Sequence, residues 1–287
     1  MLYGTGCQTI LVQGTDGTVF LAYTEEWGVS ASEARVLQNH AAWSTFTNTD
    51  GQSLQAFTGY PGSLPGSSFF MTKKTIAAVD SLEQNPENQF MVGVPAALTT
   101  WLCWYLGDTV DALKIIETVG LHSGGYALNQ IALTNEGPQA RTIEFVGNET
   151  AVQTLESAPL SHLVHTNRIE DAALAKKWGA PVLEYGTYYE NVTYTHTRIR
   201  EGWAKRFHNA VPNAPALTLQ SLQKEIALIP FATHSKKLAA EQTTNGSTIC
   251  TFVASLSPDG VTHAIVSAGP QIGGESIESS RIEIQLN

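Results

Sequence analysis

The chain has 287 residues, 43% of them hydrophobic and only 15% charged, a composition that excludes a disordered segment and suffices for a large core, expected as one domain. Its formal charge of −10, with a pI near 5.2 and no local Lys/Arg cluster, repels a polyphosphate backbone and excludes nucleic acid as a partner. The three cysteines, Cys7, Cys103 and Cys250, form no CxxC pair and are too scattered for a disulfide framework, so a reducing, cytoplasmic compartment is expected. Neither a secretory leader nor an apolar run of membrane-spanning length is read, so no membrane partner is expected, and the sequons at Asn148, Asn191 and Asn245 carry no functional reading.

In chain order, CQTILVQ and TVFLAY are β-branched, apolar runs joined by GTDG, which predicts a hairpin with Cys7 at a strand start. SASEARVLQNHAAWSTF has no clean period, and AFTGYPGSLPGSSFF, dense in Gly, Pro and Ser, reads as loops around a short strand. KTIAAVDSL reads as a strand. GVPAALTTWLCWYLG has apolar residues at helical spacing behind a proline suited to a first turn. DTVDALKIIETVG predicts a second helix with Asp108 as N-cap and Gly120 as its stop.

GYALNQIALTN, ARTIEFVGN and AVQTLES then read as a meander turning at NEGP and GNET, followed by SHLVHTN. ALTLQSLQKEIALI is helical, and STICTFVASLSPDGVTHAIVSAG is a hairpin turning at SPDG. This order implies an α+β fold of antiparallel sheets covered by helices.

The serine-hydrolase GxSxG, the zinc-protease HExxH, the P-loop and the dinucleotide GxGxxG are all absent. His162 and His165, three apart in a strand, fall on opposite faces, and His196 and His208 lack companions at ligand spacing, so no metal is expected. Cys103 and Cys250 read as buried packing.

Four separated stretches, in order, resemble the acyl-coenzyme A:isopenicillin N acyltransferase family, the cysteine branch of the N-terminal-nucleophile hydrolases, which includes carcinine-type hydrolases. They are GCQTILVQGTDGTVFLAYTEEWG; YPGSLPGSSFF with AAVDSL; GVPAALTTWLCWYLGDTVDALKIIETV; and HSGGYALNQIALTNEG through TIEFV to LVHTNRIED. The closing ICTFVASLSPDGVTHAIVSAG is similar to that family's last hairpin.

The resemblance implies a four-layer αββα sandwich, self-cleavage between Gly6 and Cys7 that removes residues 1–6 as a short pro-peptide, and a catalytic domain over 7–287. Cys7 would be the nucleophile, acting on a small-molecule amide or acyl thioester without a cofactor. Asn167 matches the family's oxyanion asparagine, against the alternative of a turn former after a strand. Glu26 stands where the family has the aspartate that orients the amine, or is a solvent-facing strand-end acid. Arg198, with Arg200 competing, matches an arginine near the site, or lies on a helix surface.

Tyr23, expected among the substrate-binding residues, replaces a family arginine, and Thr72 an asparagine. Asp80 replaces an asparagine and either grips a cationic amine substrate or is a strand-end carboxylate. Tyr60 and Phe69 would line an acyl pocket or belong to the core. Hydrolysis and acyl transfer both stay open, as does a homo-oligomer, and a non-catalytic scaffold that binds a small molecule is the competing class.

Overall fold

A tight turn sets the frame: the Gly17 N–H donates to Gly14 O at 3.3 Å, with Gly17 at φ +84°, folding β1 (Gly6–Gln13) back onto β2 (Val19–Gly28). The turn sets the register, so Gln13 faces Val19, Thr9 faces Tyr23 and Cys7 faces Glu25. The computed structural model describes residues 6–28, 31–49, 51, 53–57, 63–85, 92–156, 161–179, 217–226, 246–268 and 281–286.

The next elements are α1 (Ala31–His40), β3 (Trp43–Thr47), β4 (Ser53–Phe57), β5 (Phe69–Met71), β6 (Thr75–Ser81) and β7 (Val94–Pro95). They are followed by α2 (Ala96–Leu106), α3 (Ala112–Val119), β8 (His122–Thr134), β9 (Gly137–Gly147), β10 (Glu149–Thr154) and β11 (His162–His165). The chain closes with α4 (Ala172–Trp178), α5 (Leu219–Ile226), β12 (Gly246–Leu256), β13 (Thr262–Ala268) and β14 (Arg281–Leu286).

Among the described residues, β11-β1-β2-β12-β13-β14 form one sheet and β10-β9-β8-β6-β5-β4-β3 the other, with β7 joined to β8 by a short parallel pairing and all other ladders antiparallel. Strand alternation gives each sheet two apolar faces. Leu11, Leu21 and Phe252 of the first sheet meet Phe69, Ile76 and Ile131 of the second in the core between them. On its other face the first sheet packs Ile10, Val12 and Phe20 against Leu222 and Ile226 of α5. The second sheet covers Phe70, Val79 and Leu128 with Cys103 and Trp104 of α2 and Ile115 and Ile116 of α3. The fold is therefore a mixed one, with two antiparallel sheets flanked by helices.

One local expectation is corrected. The N-cap of α3 is Asp111, whose side chain accepts from the Leu113 and Lys114 N–H groups at 2.9 and 3.4 Å. Asp108 sits inside the turn closing α2, where the Thr109 and Val110 N–H groups return to Leu106 O, and it accepts instead from the Thr72 hydroxyl and Lys74 N–H. Gly120 ends α3 as expected, at φ +79° with its N–H on Ile116 O at 3.1 Å.

Phe69 is fully buried, its ring 4.7 Å from both Phe57 and Phe252 and 5.6 Å from Tyr23. It is thus the centre of the aromatic packing between the sheets, one face of which reaches the Tyr23 ring. Phe69→Ala is expected to cost about 3–5 kcal/mol of stability in urea unfolding, and a loss below about 1 kcal/mol would mean that this stack does not carry the core.

Candidate active site

Towards one end of the sandwich the stripe between the sheets turns from apolar to polar. On β1 Leu11 gives way to Thr9 and Cys7; on β2 Leu21 gives way to Tyr23 and Glu25. On the facing sheet Ile76 and Ala78 lead to Asp80, Ile131 leads to Asn129, and Ala140 leads to Thr142 and Glu144. All of these side chains are buried, so each polar atom needs a partner inside the protein.

Cys7, 4% exposed, is held from two sides. Its N–H donates to Asn167 Oδ1 at 3.0 Å. The β1–β11 register, with Thr9 opposite His165, runs out just before Asn167, and two further residues bring Asn167 opposite Cys7, where its side chain stands in for a strand carbonyl. Asn167 Nδ2 donates to Ser81 O at 2.8 Å and to Ser81 Oγ at 3.2 Å. These neighbours set the amide orientation, because Cys7 N–H needs an acceptor and Ser81 O needs a donor.

On the other side, the Tyr23 hydroxyl reaches Cys7 Sγ at 3.4 Å and also Glu25 Oε2. Burial, then the charges of Cys7, Glu25 and Asp80, push the Tyr23 hydroxyl well above its usual range, so it stays a neutral phenol. Cys250, opposite Glu25 on β12, is likewise pushed up by burial and by the Glu25 and Cys7 charges, and remains a thiol.

Behind this pair lies a buried ion cluster. His165 Nδ1 lies 3.1 Å from Asp80 Oδ2, and its Nε2 lies 3.0 Å from Glu144 Oε1. Burial alone would pull the imidazole down, but the hydrogen bonds and charges of Asp80 and Glu144 outweigh it and raise its pKa to about 10, so the ring is an imidazolium donating from both nitrogens. Burial raises the Asp80 carboxyl, opposed by His165, Thr9 and Asn129. The Thr9 hydroxyl donates to it at 3.0 Å and Asn129 Nδ2 at 2.8 Å. Every such partner is a donor, which selects the carboxylate.

Glu144 also accepts from the backbone N–H groups of Glu170 and Asp171, at 2.6 and 2.9 Å. His165 precedes Asn167 by two residues and Glu170 follows it by three, so the cluster clamps the chain on both sides of Asn167.

Of the residues singled out from sequence, Cys7, Tyr23 and Asn167 come together, Asp80 lies behind them bound to an internal cation, and Phe69 lies in the aromatic core. Glu26 is opposite Gly6 in the register, but its side chain, like Tyr60, Arg198 and Arg200, lies outside the described residues. The carboxylate whose described side chain joins Cys7 is Glu25. Counting the hairpin register outward from GTDG would have identified it, since residues 7 and 25 pair. Thr9, Asn129, Glu144 and His165 were not singled out as site residues, although all sit at alternating positions of strands that were recognised.

No protein-family model matches the chain, and no curated protein matches it. Among the described residues, no group of three or more His, Cys, Asp or Glu side chains could hold a metal ion, and no helix is long and apolar enough to cross a membrane. Asp80 and Glu144 occupy opposite edges of the His165 ring and do not converge.

His165 titrates near 10 when folded and at about 6.5 when unfolded. The stability it contributes is therefore complete below about pH 6.5 and is lost as pH rises through about 10. Thermal midpoints are expected to fall from pH 7 to 10, and His165→Gln to show a shallower alkaline slope. Equal slopes in a circular-dichroism melting series would argue against the buried cation.

Proposed function

We propose that the chain is a self-processing cysteine hydrolase or acyltransferase of the N-terminal-nucleophile type, similar to the isopenicillin N acyltransferase family, built as the αββα sandwich of that class. One observation carries the reading: a buried thiol follows a glycine at a strand start, its sulfur on the Tyr23 hydroxyl and its nitrogen on Asn167. A cysteine that merely packed would not require both of these atoms to be held by polar side chains.

Cleavage between Gly6 and Cys7 releases an α-amine whose pKa, about 7.7–8.0, lies near the thiol's roughly 8.5 and well below lysine's roughly 10.4. Such an amine takes the thiol proton near neutral pH, so nucleophile and base belong to one residue. Cys7 then attacks an amide or thioester carbonyl, expels an amine or thiol, and holds the acyl group until water or a second amine collects it. Asn167 Oδ1 already bonds the nitrogen that becomes the amine. Its Nδ2 would serve the oxyanion by exchanging Ser81 for the substrate oxygen, and losing one such donor commonly costs about 2.7–4 kcal/mol of barrier. Glu26, Arg198 and Tyr60 retain the roles that the resemblance gives them, as parts of this proposal.

Intact mass of the purified chain beside Cys7→Ala is the direct test. Wild type is expected to lose residues 1–6 while Cys7→Ala keeps them. Retention in both would remove self-processing and favour a non-catalytic scaffold that binds a small molecule.

A further inference from the structure

Before the cut, the nitrogen of Cys7 is an amide and has no basicity, so the amine that serves turnover cannot start the reaction that creates it. A different base must take the thiol proton for the first step. The Tyr23 hydroxyl lies 3.4 Å from Cys7 Sγ, and the same hydroxyl bonds Glu25, which is buried opposite Cys7 in the hairpin. A phenol has one proton and cannot donate to both. With that proton on Glu25, the Tyr23 oxygen accepts the thiol S–H.

We infer that Tyr23 and Glu25 form a proton relay that drives cleavage of the Gly6–Cys7 bond, with Tyr23 as a catalytic residue at the sulfur and Glu25 as the acceptor acting through it. The inference rests on the self-processing reading above. As sulfur bonds to the Gly6 carbonyl carbon, the S–H proton passes to the Tyr23 oxygen and the Tyr23 proton passes to Glu25 Oε2. The tetrahedral adduct collapses by breaking the bond from that carbon to the Cys7 nitrogen. The nitrogen takes the proton back from Glu25 through the same hydroxyl, leaving a thioester and a free amine. Water then cleaves the thioester, giving a Gly6 carboxylate and regenerating the thiol, with the released proton taken up by the new α-amine, so one water is consumed and Glu25 ends ionised.

A phenol raised well above its usual range does not hold the negative charge itself, which suits a relay rather than a standing phenolate base. Among the described residues, Cys250 on β12, Tyr126 on β8 and Asp80 on β6 are titratable groups that also interact electrostatically with this site. Burial, followed by the Cys7 and Glu25 charges, pushes Tyr126 up to about 12, so it is protonated throughout the range used below.

The experiment follows cutting of the full-length chain by intact mass over time, from pH 6.5 to 9, for wild type, Tyr23→Phe, Glu25→Gln and Glu25→Asp. General-base help of this kind is worth about 10²–10⁴-fold, so Tyr23→Phe and Glu25→Gln are expected to cut at least about 100-fold more slowly at pH 7. Their residual rates should rise about tenfold per pH unit for as long as the thiol is mostly protonated, because solvent must then ionise the sulfur, while wild type stays nearly flat. Glu25→Asp should fall between these limits. Alkaline recovery of cutting also establishes that the variants fold.

Chains made to begin at Cys7 by initiator-methionine removal supply the second readout. There no cut is needed, and Tyr23→Phe and Glu25→Gln are expected to melt in one cooperative transition by circular dichroism, which tells a lost relay apart from a lost fold. Wild-type cutting with Tyr23→Phe cutting at the same rate, or with the same pH slope, overturns the relay alone. A wild-type chain that does not cut overturns the self-processing reading, and the relay with it.

Discussion

The arrangement at the polar end of the sandwich depends on one constraint: charges placed between two sheets must be paired there. A lone buried carboxylate or imidazolium would cost far more than a domain's net stability. Here a single cation, His165, lies between two carboxylates on the opposing sheet, Asp80 and Glu144, and the remaining oxygens are covered by Thr9, Asn129 and two backbone N–H groups. Removing any one member leaves another charge without its partner. The three therefore behave as one unit, the case in which breaking a buried pair is more costly than never having built it.

That unit bridges elements which the chain keeps far apart. β11 belongs to the first sheet, Asp80 and Glu144 to the second, and Glu144 also holds the start of α4 through Glu170 and Asp171. Asn167 sits in the span between these anchor points. Its freedom is further reduced by the Glu83 N–H donating to its carbonyl at 2.6 Å. A side-chain amide that must meet the Cys7 nitrogen at 3.0 Å needs such bracing, since a hydrogen bond weakens steeply as its length and angle drift. The ion cluster is thus one step removed from Cys7 and still sets where its nitrogen is held.

Sequence patterning made the hairpins, the α2 and α3 region and the final β12–β13 turn legible, because turn chemistry and period-2 runs act locally. Asp108 and Asp111 show the limit of that logic: both are aspartates near a helix start, and the choice rests on how far the last turn of α2 runs on, which no local propensity encodes. Glu25 and Glu26 differ by one residue, and in a strand one residue decides which face a side chain takes. The resemblance pointed to Glu26, while the register places Glu25 beside Cys7. His165 was legible as a strand residue, but its charge state arises from carboxylates 21 and 85 positions away, contacts that only the packed sheets create. The strand at 281–286 drew no expectation, because RIEIQL is mostly exposed and has no buried apolar stripe, and its place is set by pairing with β13.

The neutral phenol at position 23 also has an electrostatic consequence. A cation there would favour a standing thiolate, compensated whether or not a carbonyl is in reach. Tyr23 supplies no charge, and a thiolate formed next to an ionised Glu25 would place two anions together in a buried site. In the proposed relay, moving one proton from sulfur through the phenol to the carboxylate keeps a single negative charge in the site, which passes from Glu25 to the attacked carbonyl oxygen only as sulfur forms its new bond. Proton transfer is thereby coupled to attack on a carbonyl already in place. On the proposed relay the thiol gives up its proton only against a carbonyl within reach, and the first such carbonyl would be that of Gly6.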